Sequence, residues 1–328
     1  MRRSAVVTGL AASMALLLTA CGMGTGTTST PNSTSNNAGT TQLSVGTSPA
    51  ILNASLYHGE QSGIFAKHNL KVTPKVVASG AEAIPLLLNG QIQFAASDPV
   101  AVITSLSKNI PLTFVAPAGG PQADTTQDFS AVLADPSINS AADLNGKTVA
   151  VNAIGGILQV AAKASIDLAG GDSGSVKFVT MSISQMAAAV KGGQVDAAVV
   201  SEPFLALGVG DGLKNLLPVV SKAAPNVPTV VYVTSKSYAD SNPEVVKNFA
   251  AALLASNADL DKDPAKIRSV AVGSTQSTPE VMAKVNLPEF MTEPLSLDAL
   301  NELQDLMIKY QVVSQEVDLS THLYTPGS

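Results

Sequence analysis

The chain has 328 residues, 45% of them hydrophobic and only 13% charged, and carries a formal net charge of −6. An acidic chain of this kind is not drawn to nucleic acid or anionic lipid by charge, so neither is an expected partner. A single cysteine, Cys21, excludes internal disulfides and thiolate metal clusters.

In chain order, the first feature is Arg2-Arg3 followed by an apolar run from Ala5 to Ala20 and the tetrapeptide Leu18-Thr19-Ala20-Cys21. A short cationic segment, an apolar core and small residues before a cut are the parts of a secretory signal peptide. The run, about 16 residues, is shorter than the ~20 a spanning helix needs. Leu-Thr-Ala-Cys resembles the bacterial lipobox, which implies cleavage after residue 20 and lipidation of Cys21. Loss of Arg2 and Arg3 with the leader would take the net charge from −6 to −8. Residues 21–41 are mostly Gly, Thr, Ser, Asn and Pro, without charge, and read as a disordered tether. A flexible chain of ~20 residues spans roughly 25 Å, enough to hold a body at the extracytoplasmic face of a membrane and let it turn.

The body alternates short strands with helices. Strands are predicted at 43–46, 71–77, 94–96 and 112–116, with helices at 52–62, 81–89 and 100–107 between them. A Gly/Pro/Asp-rich break covers 117–128, and a strand follows at 130–134. The alternation restarts with strands at 148–151, 176–180, 197–200, 216–220 and 230–234, and helices at 158–169 and 183–191. Helices then dominate, at 243–260, 264–272 and 297–310, with Pro243, Pro264 and Pro279 suited to first helical turns. This pattern predicts an α/β protein with parallel sheets covered on both faces.

Several segments carry a resemblance. They are Ser62-Gly63-Ile64-Phe65-Ala66-Lys67-His68-Asn69-Leu70, Ser79-Gly80, Leu88-Asn89-Gly90-Gln91-Ile92, Asp143-Leu144-Asn145-Gly146-Lys147, Lys191-Gly192-Gly193-Gln194-Val195-Asp196, Ser201-Glu202-Pro203-Phe204 and Asn242-Pro243-Glu244-Val245-Val246. In their order and spacing they resemble solute-binding proteins of the nitrate/sulfonate/taurine class, a family that also includes binders of aminopyrimidine thiamine precursors and of riboflavin. The resemblance implies a two-lobed type II periplasmic-binding-protein fold with a ligand cleft between lobes. Lobe 1 is expected at 42–128 plus 235–328 and lobe 2 at 129–234. It also implies a monomer serving the permease and ATPase of an ABC importer, without a cofactor, or alternatively a ligand-sensing lipoprotein.

Ligands in such sheets sit beyond the carboxyl ends of strands, against helix N-termini. The candidate turns are Ser48-Pro49, Ser79-Gly80, Ser97-Asp98, Gly155-Gly156 and the turn holding Glu202. Small residues there let backbone N–H groups approach a ligand, although Ser, Gly and Pro are equally good capping and turn residues. Tyr57 is a candidate aromatic wall. Asp98 and Glu202 suit helix starts electrostatically; if they face the cleft they oppose a dianion and favour ligands with amine or ring N–H donors. The candidate solutes are therefore taurine-like sulfonates or aminopyrimidines. His58, His68 and His322 read as surface or helix residues.

An enzyme is disfavoured. Neither a Gly-x-Ser-x-Gly turn nor a His-Glu-x-x-His helix occurs. Gly146-Lys147-Thr148 lacks the upstream glycine of a phosphate loop, Ala141 standing in its place. The thiamine-pyrimidine synthases that resemble this family carry a cysteine-rich iron motif, which a body without cysteine does not have.

Overall fold

A computed structural model describes residues 39–77, 80–275 and 277–326. The leader, Cys21, most of the expected tether and Ser79 lie outside the described residues. The body opens with β1 (Thr41–Thr47), α1 (Ala54–Gln61), α2 (Ile64–Lys67), β2 (Leu70–Val76), α3 (Gly80–Leu88), β3 (Phe94–Ser97), α4 (Pro99–Ser107) and β4 (Leu112–Gly120). It continues through β5 (Ser130–Ala134), β6 (Thr148–Val151), α5 (Ile157–Leu168), β7 (Lys177–Thr180), α6 (Ile183–Lys191), β8 (Ala197–Ser201), α7 (Phe204–Gly210), β9 (Lys214–Pro218) and α8 (Val220–Ala223). The last part is β10 (Val230–Ser235), α9 (Lys236–Ser241), α10 (Pro243–Leu260), α11 (Pro264–Thr275), α12 (Pro279–Met282), β11 (Glu289–Phe290) and α13 (Leu297–Lys309).

The strands form two sheets, ordered β11-β4-β10-β3-β1-β2 and β7-β6-β8-β5-β9. This two-lobed α/β arrangement is the type II periplasmic-binding-protein fold. Three expectations need correction. The sheets are mixed rather than parallel: β10 runs antiparallel to β3 and β4, and β5 antiparallel to β8 and β9. Each is the first strand after the chain changes sheets, so no crossover helix turns it parallel to its neighbours. Residues 230–234, expected to close lobe 2, lie in β10 and pair in the first sheet, which puts the return before residue 230. The expected tether also ends too late, because Thr41 is already in β1 and pairs with Leu70.

Local sequence explains the elements that matter for the site. β3 and β10 read Phe-Ala-Ala-Ser and Val-Val-Tyr-Val-Thr-Ser and are almost wholly buried, as near-continuous apolar runs inside a covered sheet should be. α4 starts with Asp98 at its N-cap and Pro99 in its first turn, where a carboxylate satisfies an orphan N–H and proline loses nothing. α5 starts after Gly155, whose φ of +74° belongs to the left-handed region that glycine enters without strain.

The lobes are packed differently. In the first, Phe249 of α10 stacks on Phe94 with ring centroids 3.9 Å apart and on Phe65 at 5.6 Å, and meets Tyr232 edge-on at 5.7 Å. In the second, the core between β5, β6, β8, α6 and α7 is built of Ala, Val, Leu and Met, including Ala131, Leu133, Ala150 and Met186. A third apolar cluster runs from one lobe into the other, joining Ile103 of α4, Leu158 of α5 and Leu303 of α13.

Candidate ligand-binding site

A cavity of about 620 Å³ lies between the lobes, within the size range of small-molecule sites. The first lobe lines it with Ser48 after β1, Ser97 at the end of β3, Asp98 after it, and Ala101, Thr104 and Ser105 of α4 with Lys108 just past its end. The second lobe contributes the turn from Asn152 to Leu158 and, at the end of β8 and just after it, Ser201 and Glu202. Phe129 and Thr229, on the two passages of the chain between lobes, complete it. Between the polar groups the lining is aliphatic, with Ile51, Leu52, Ile84, Ile110 and Ile154, and among the described residues Phe129 is its only aromatic ring.

Asp98 joins the two lobes. Its Oδ1 accepts the N–H of Val100 at 2.8 Å, capping α4, while Oδ2 accepts the N–H of Ile157, first residue of α5, also at 2.8 Å. Gly156 makes this approach possible: a Cβ there would stand 3.2 Å from Asp98 Oδ2 and 3.3 Å from Ala153. Part of Asp98 borders the cavity, but protein surrounds it, and burial pushes its carboxyl up to about 6 against the opposing bonds from Ile157, Val100 and Ala101.

Glu202 makes the reciprocal bridge. Its Oε2 accepts the N–H of Ala206 in α7 at 2.9 Å, and its Oε1 accepts the N–H of Asn286 at 2.9 Å, in the segment leading to β11 of the first sheet. Asn286 Nδ2 in turn donates to the carbonyl of Asp128 at 3.1 Å. Burial raises the Glu202 carboxyl, and the two backbone bonds and the Arg268 charge hold it back. Each lobe thus sends one carboxylate to a backbone N–H of the other.

Of the residues singled out in the sequence, Ser48, Ser97, Asp98, Gly155, Gly156 and Glu202 meet at this cavity. Pro49 and Tyr57 are not in its lining; Tyr57, expected as an aromatic wall, is half-buried on α1 instead. Gly80 opens α3, and Ser79 lies outside the described residues. His58 bonds Asp259 at 2.6 Å and His322 bonds the Leu112 carbonyl at 3.0 Å, and neither lines the cavity. Sequence reasoning missed Thr104, Lys108, Phe129, Asn152 and Thr229. For α4 a signal existed: Asp98, Ala101, Thr104, Ser105 and Lys108 recur at the three-to-four-residue spacing of one helix face. For Thr229 there was none, because its position depends on pairing with a strand over a hundred residues away.

Among the described residues the only ammonium in the lining belongs to Lys108, which is solvent-exposed. Arg268, the sole arginine after the leader, donates instead to the carbonyls of Met282 and Val285. Among the described residues no group of three or more His, Cys, Asp or Glu is placed to hold a metal.

The chain is 26% identical over 210 residues to the formylaminopyrimidine-binding protein of Halalkalibacterium halodurans, a match covering 63% of this chain and 62% of the relative's length. The alkanesulfonate-binding protein of Xanthomonas axonopodis pv. citri, solved with MOPS, is similar in fold, with a TM-score of 0.70 at 18% identity, covering 86% of this chain and 98% of that one. So is the zinc-bound ligand-binding component of an ABC-type import system from Staphylococcus aureus, with a TM-score of 0.73 at 14% identity, covering 87% and 96%. The sequence profile described as "NMT1/THI5 like" matches residues 52–267, more than half of the chain, and the protein therefore belongs to the NMT1/THI5-like family.

Proposed function

We propose that this protein is the solute-binding component of an ABC importer, and that its solute is a small uncharged or amine-bearing heterocycle of the aminopyrimidine class. The observation that carries the ligand reading is the charge of the cavity among the described residues: two carboxylates, Asp98 and Glu202, and no buried cation. A bound sulfonate, nitrate or carboxylate would stand beside these acids in a low-dielectric space without a guanidinium to offset it. A ring with N–H and amine donors and an apolar face suits carboxylate and hydroxyl oxygens set among isoleucines and Phe129. The likeness to a formylaminopyrimidine-binding protein supports the same class. The protein captures and releases rather than converts: its body has no cysteine to supply the iron motif of the related pyrimidine synthases. Cys21 would carry the lipid that keeps it at the outer face of the membrane, beside its permease and ATPase.

The test is a calorimetric and thermal-shift panel on the soluble body, with a formylaminopyrimidine, an unformylated aminopyrimidine, taurine, alkanesulfonates and nitrate. A ligand present at a hundred times its dissociation constant adds about 2.7 kcal/mol of stability. The expected outcome is a rise in melting temperature with the pyrimidines alone. A rise with taurine or an alkanesulfonate and none with a pyrimidine would overturn the ligand class.

A further inference from the structure

Among the described residues seven large apolar side chains are exposed, and Ile154, at 58%, is the one of them that lines the cavity. Apolar residues exposed singly on outer faces, such as Leu168 at the end of α5 or Leu207 on α7, are ordinary. An uncovered one that borders a cavity is surface that a ligand can cover. The other large aliphatic residues of the lining are already covered by protein. Ile51 belongs to the cluster it shares with Ile267 of α11, and Ile84, Ile157 and Leu158 to the cluster that joins the lobes. Ile110 packs against that second cluster, and Leu52 is 4% exposed. Ile154 belongs to none of the apolar clusters.

The turn that carries Ile154 is braced by bonds that its side chain does not make. Gly155 N–H donates to Oε1 of the buried Gln159 at 2.6 Å, and Gly156 N–H to the Ala153 carbonyl at 3.3 Å. Ile157 N–H donates to Asp98 of the other lobe at 2.8 Å. Behind the turn stands Val312, 3.7 Å from where a Cβ on Gly155 would lie. The backbone is thus fixed, and isoleucine, branched at Cβ and stiff at χ1, makes a preset surface on it. Turns favour Gly, Asn, Asp and Ser. Asn152, two residues earlier and also exposed, follows that preference, and Ile154 departs from it. From the first lobe, Pro85 of α3 is likewise exposed and lines the same cavity, so each lobe brings uncovered apolar surface to it.

We propose that Ile154 is a specificity-determining residue of the site: the flat face of the solute's ring lies against its side chain, and the second lobe thereby selects rings over compact polar solutes. The assignment deepens the reading of this cavity as an aminopyrimidine site and rests on it for the identity of the ligand. A ring has an apolar face that gains by leaving water together with the isoleucine. A small sulfonate or nitrate has no such face and gains nothing from this wall.

The experiment compares the wild type with I154A, I154V and I154T, and with L207A as an exposed apolar residue outside the cavity. Melting is measured without ligand, and affinity is measured for a formylaminopyrimidine and an unformylated aminopyrimidine. I154A should melt no lower than the wild type without ligand and bind each pyrimidine about five- to tenfold more weakly. I154V should lose about twofold. I154T, with the shape of valine but a hydroxyl, should bind about threefold more weakly than I154V, and L207A should bind as the wild type does. An I154A protein that binds both pyrimidines as tightly as the wild type would overturn the assignment and leave the ligand class standing, as would an equal loss in L207A. Failure of the wild type itself to bind any pyrimidine would overturn the ligand class instead. The ligand-free arm still decides in that case: an I154A protein that melts clearly lower would show the side chain to be a packing residue and overturn the assignment, and one that melts as high or higher would support it.

Discussion

The two lobes solve the same packing problem with different side chains. The first gathers Phe65, Phe94, Phe249 and Tyr232 into one stack, so much of its burial depends on a few rings. The second fills its core with alanine, valine, leucine and methionine, so the load is spread over many small contacts and strands can lie close to helices. The difference extends to the cavity. The first lobe presents side chains from one face of α4, whereas the second presents a glycine turn, Gly155-Gly156, whose thinness lets Asp98 reach the start of α5. A lobe of small residues brings its backbone near; a lobe of large ones offers a firm helix.

The largest effect that would break this comparison is expected at Phe249. Phe249→Ala removes the ring at the centre of the aromatic stack and should destabilise by about 3–5 kcal/mol in urea unfolding. A loss below about 1 kcal/mol would mean the stack does not carry the first lobe. In the second lobe the informative change is an addition. A Cβ on Gly208 of α7 would collide with the Leu133 side chain, so Gly208→Ala should cost about 1–3 kcal/mol by overpacking, and pairing it with Leu133→Val should recover part of that loss.

The smallest effect concerns the bridge between them and is read through pH. The folded value of Asp98, about 6, lies above the ~3.9 of an unfolded aspartate, so between these values the folded state binds more protons. The contribution of Asp98 to stability is therefore full below about pH 4 and is lost as pH rises through about 6. Because Asp98 borders the cavity, solvent screening holds the change to about 1–2 kcal/mol. Asp98→Asn should flatten this slope, seen as a wild-type-minus-variant stability difference that shrinks between pH 4 and 7. A pH-independent difference would show that the carboxyl is not displaced upward.

Much of the fold was legible because short buried runs such as Phe94–Ser97 alternate with amphipathic helices, and because capping and proline signals mark where α4 and α10 begin. Strand direction was not, since the reversal of β5 and β10 follows from the chain changing lobes rather than from any local pattern. The cavity lining was legible at the strand-to-helix turns, where Ser48, Asp98, Gly156 and Glu202 are good turn or cap residues. The second bond of Asp98 was hidden: Val100, two residues on, is a local cap, but Ile157 is 59 positions away. Tyr57 misled because an aromatic residue near a candidate turn says nothing of which side of α1 it takes.

Both interlobe bridges end on a main-chain amide, and this bears on how the contact is inherited. Every residue except proline supplies that N–H, so substitutions at 157 leave the donor of the Asp98 bridge in place, and those at 286 do the same for Glu202. Each contact is thus written in one codon rather than two. A saturation scan should find position 157 permissive to side chains of similar size and closed to proline, with the genetic sensitivity of the bridge concentrated at position 98. A lineage can then retune how firmly the lobes meet by a single acid-to-amide change, without waiting for a compensating mutation in the opposite lobe.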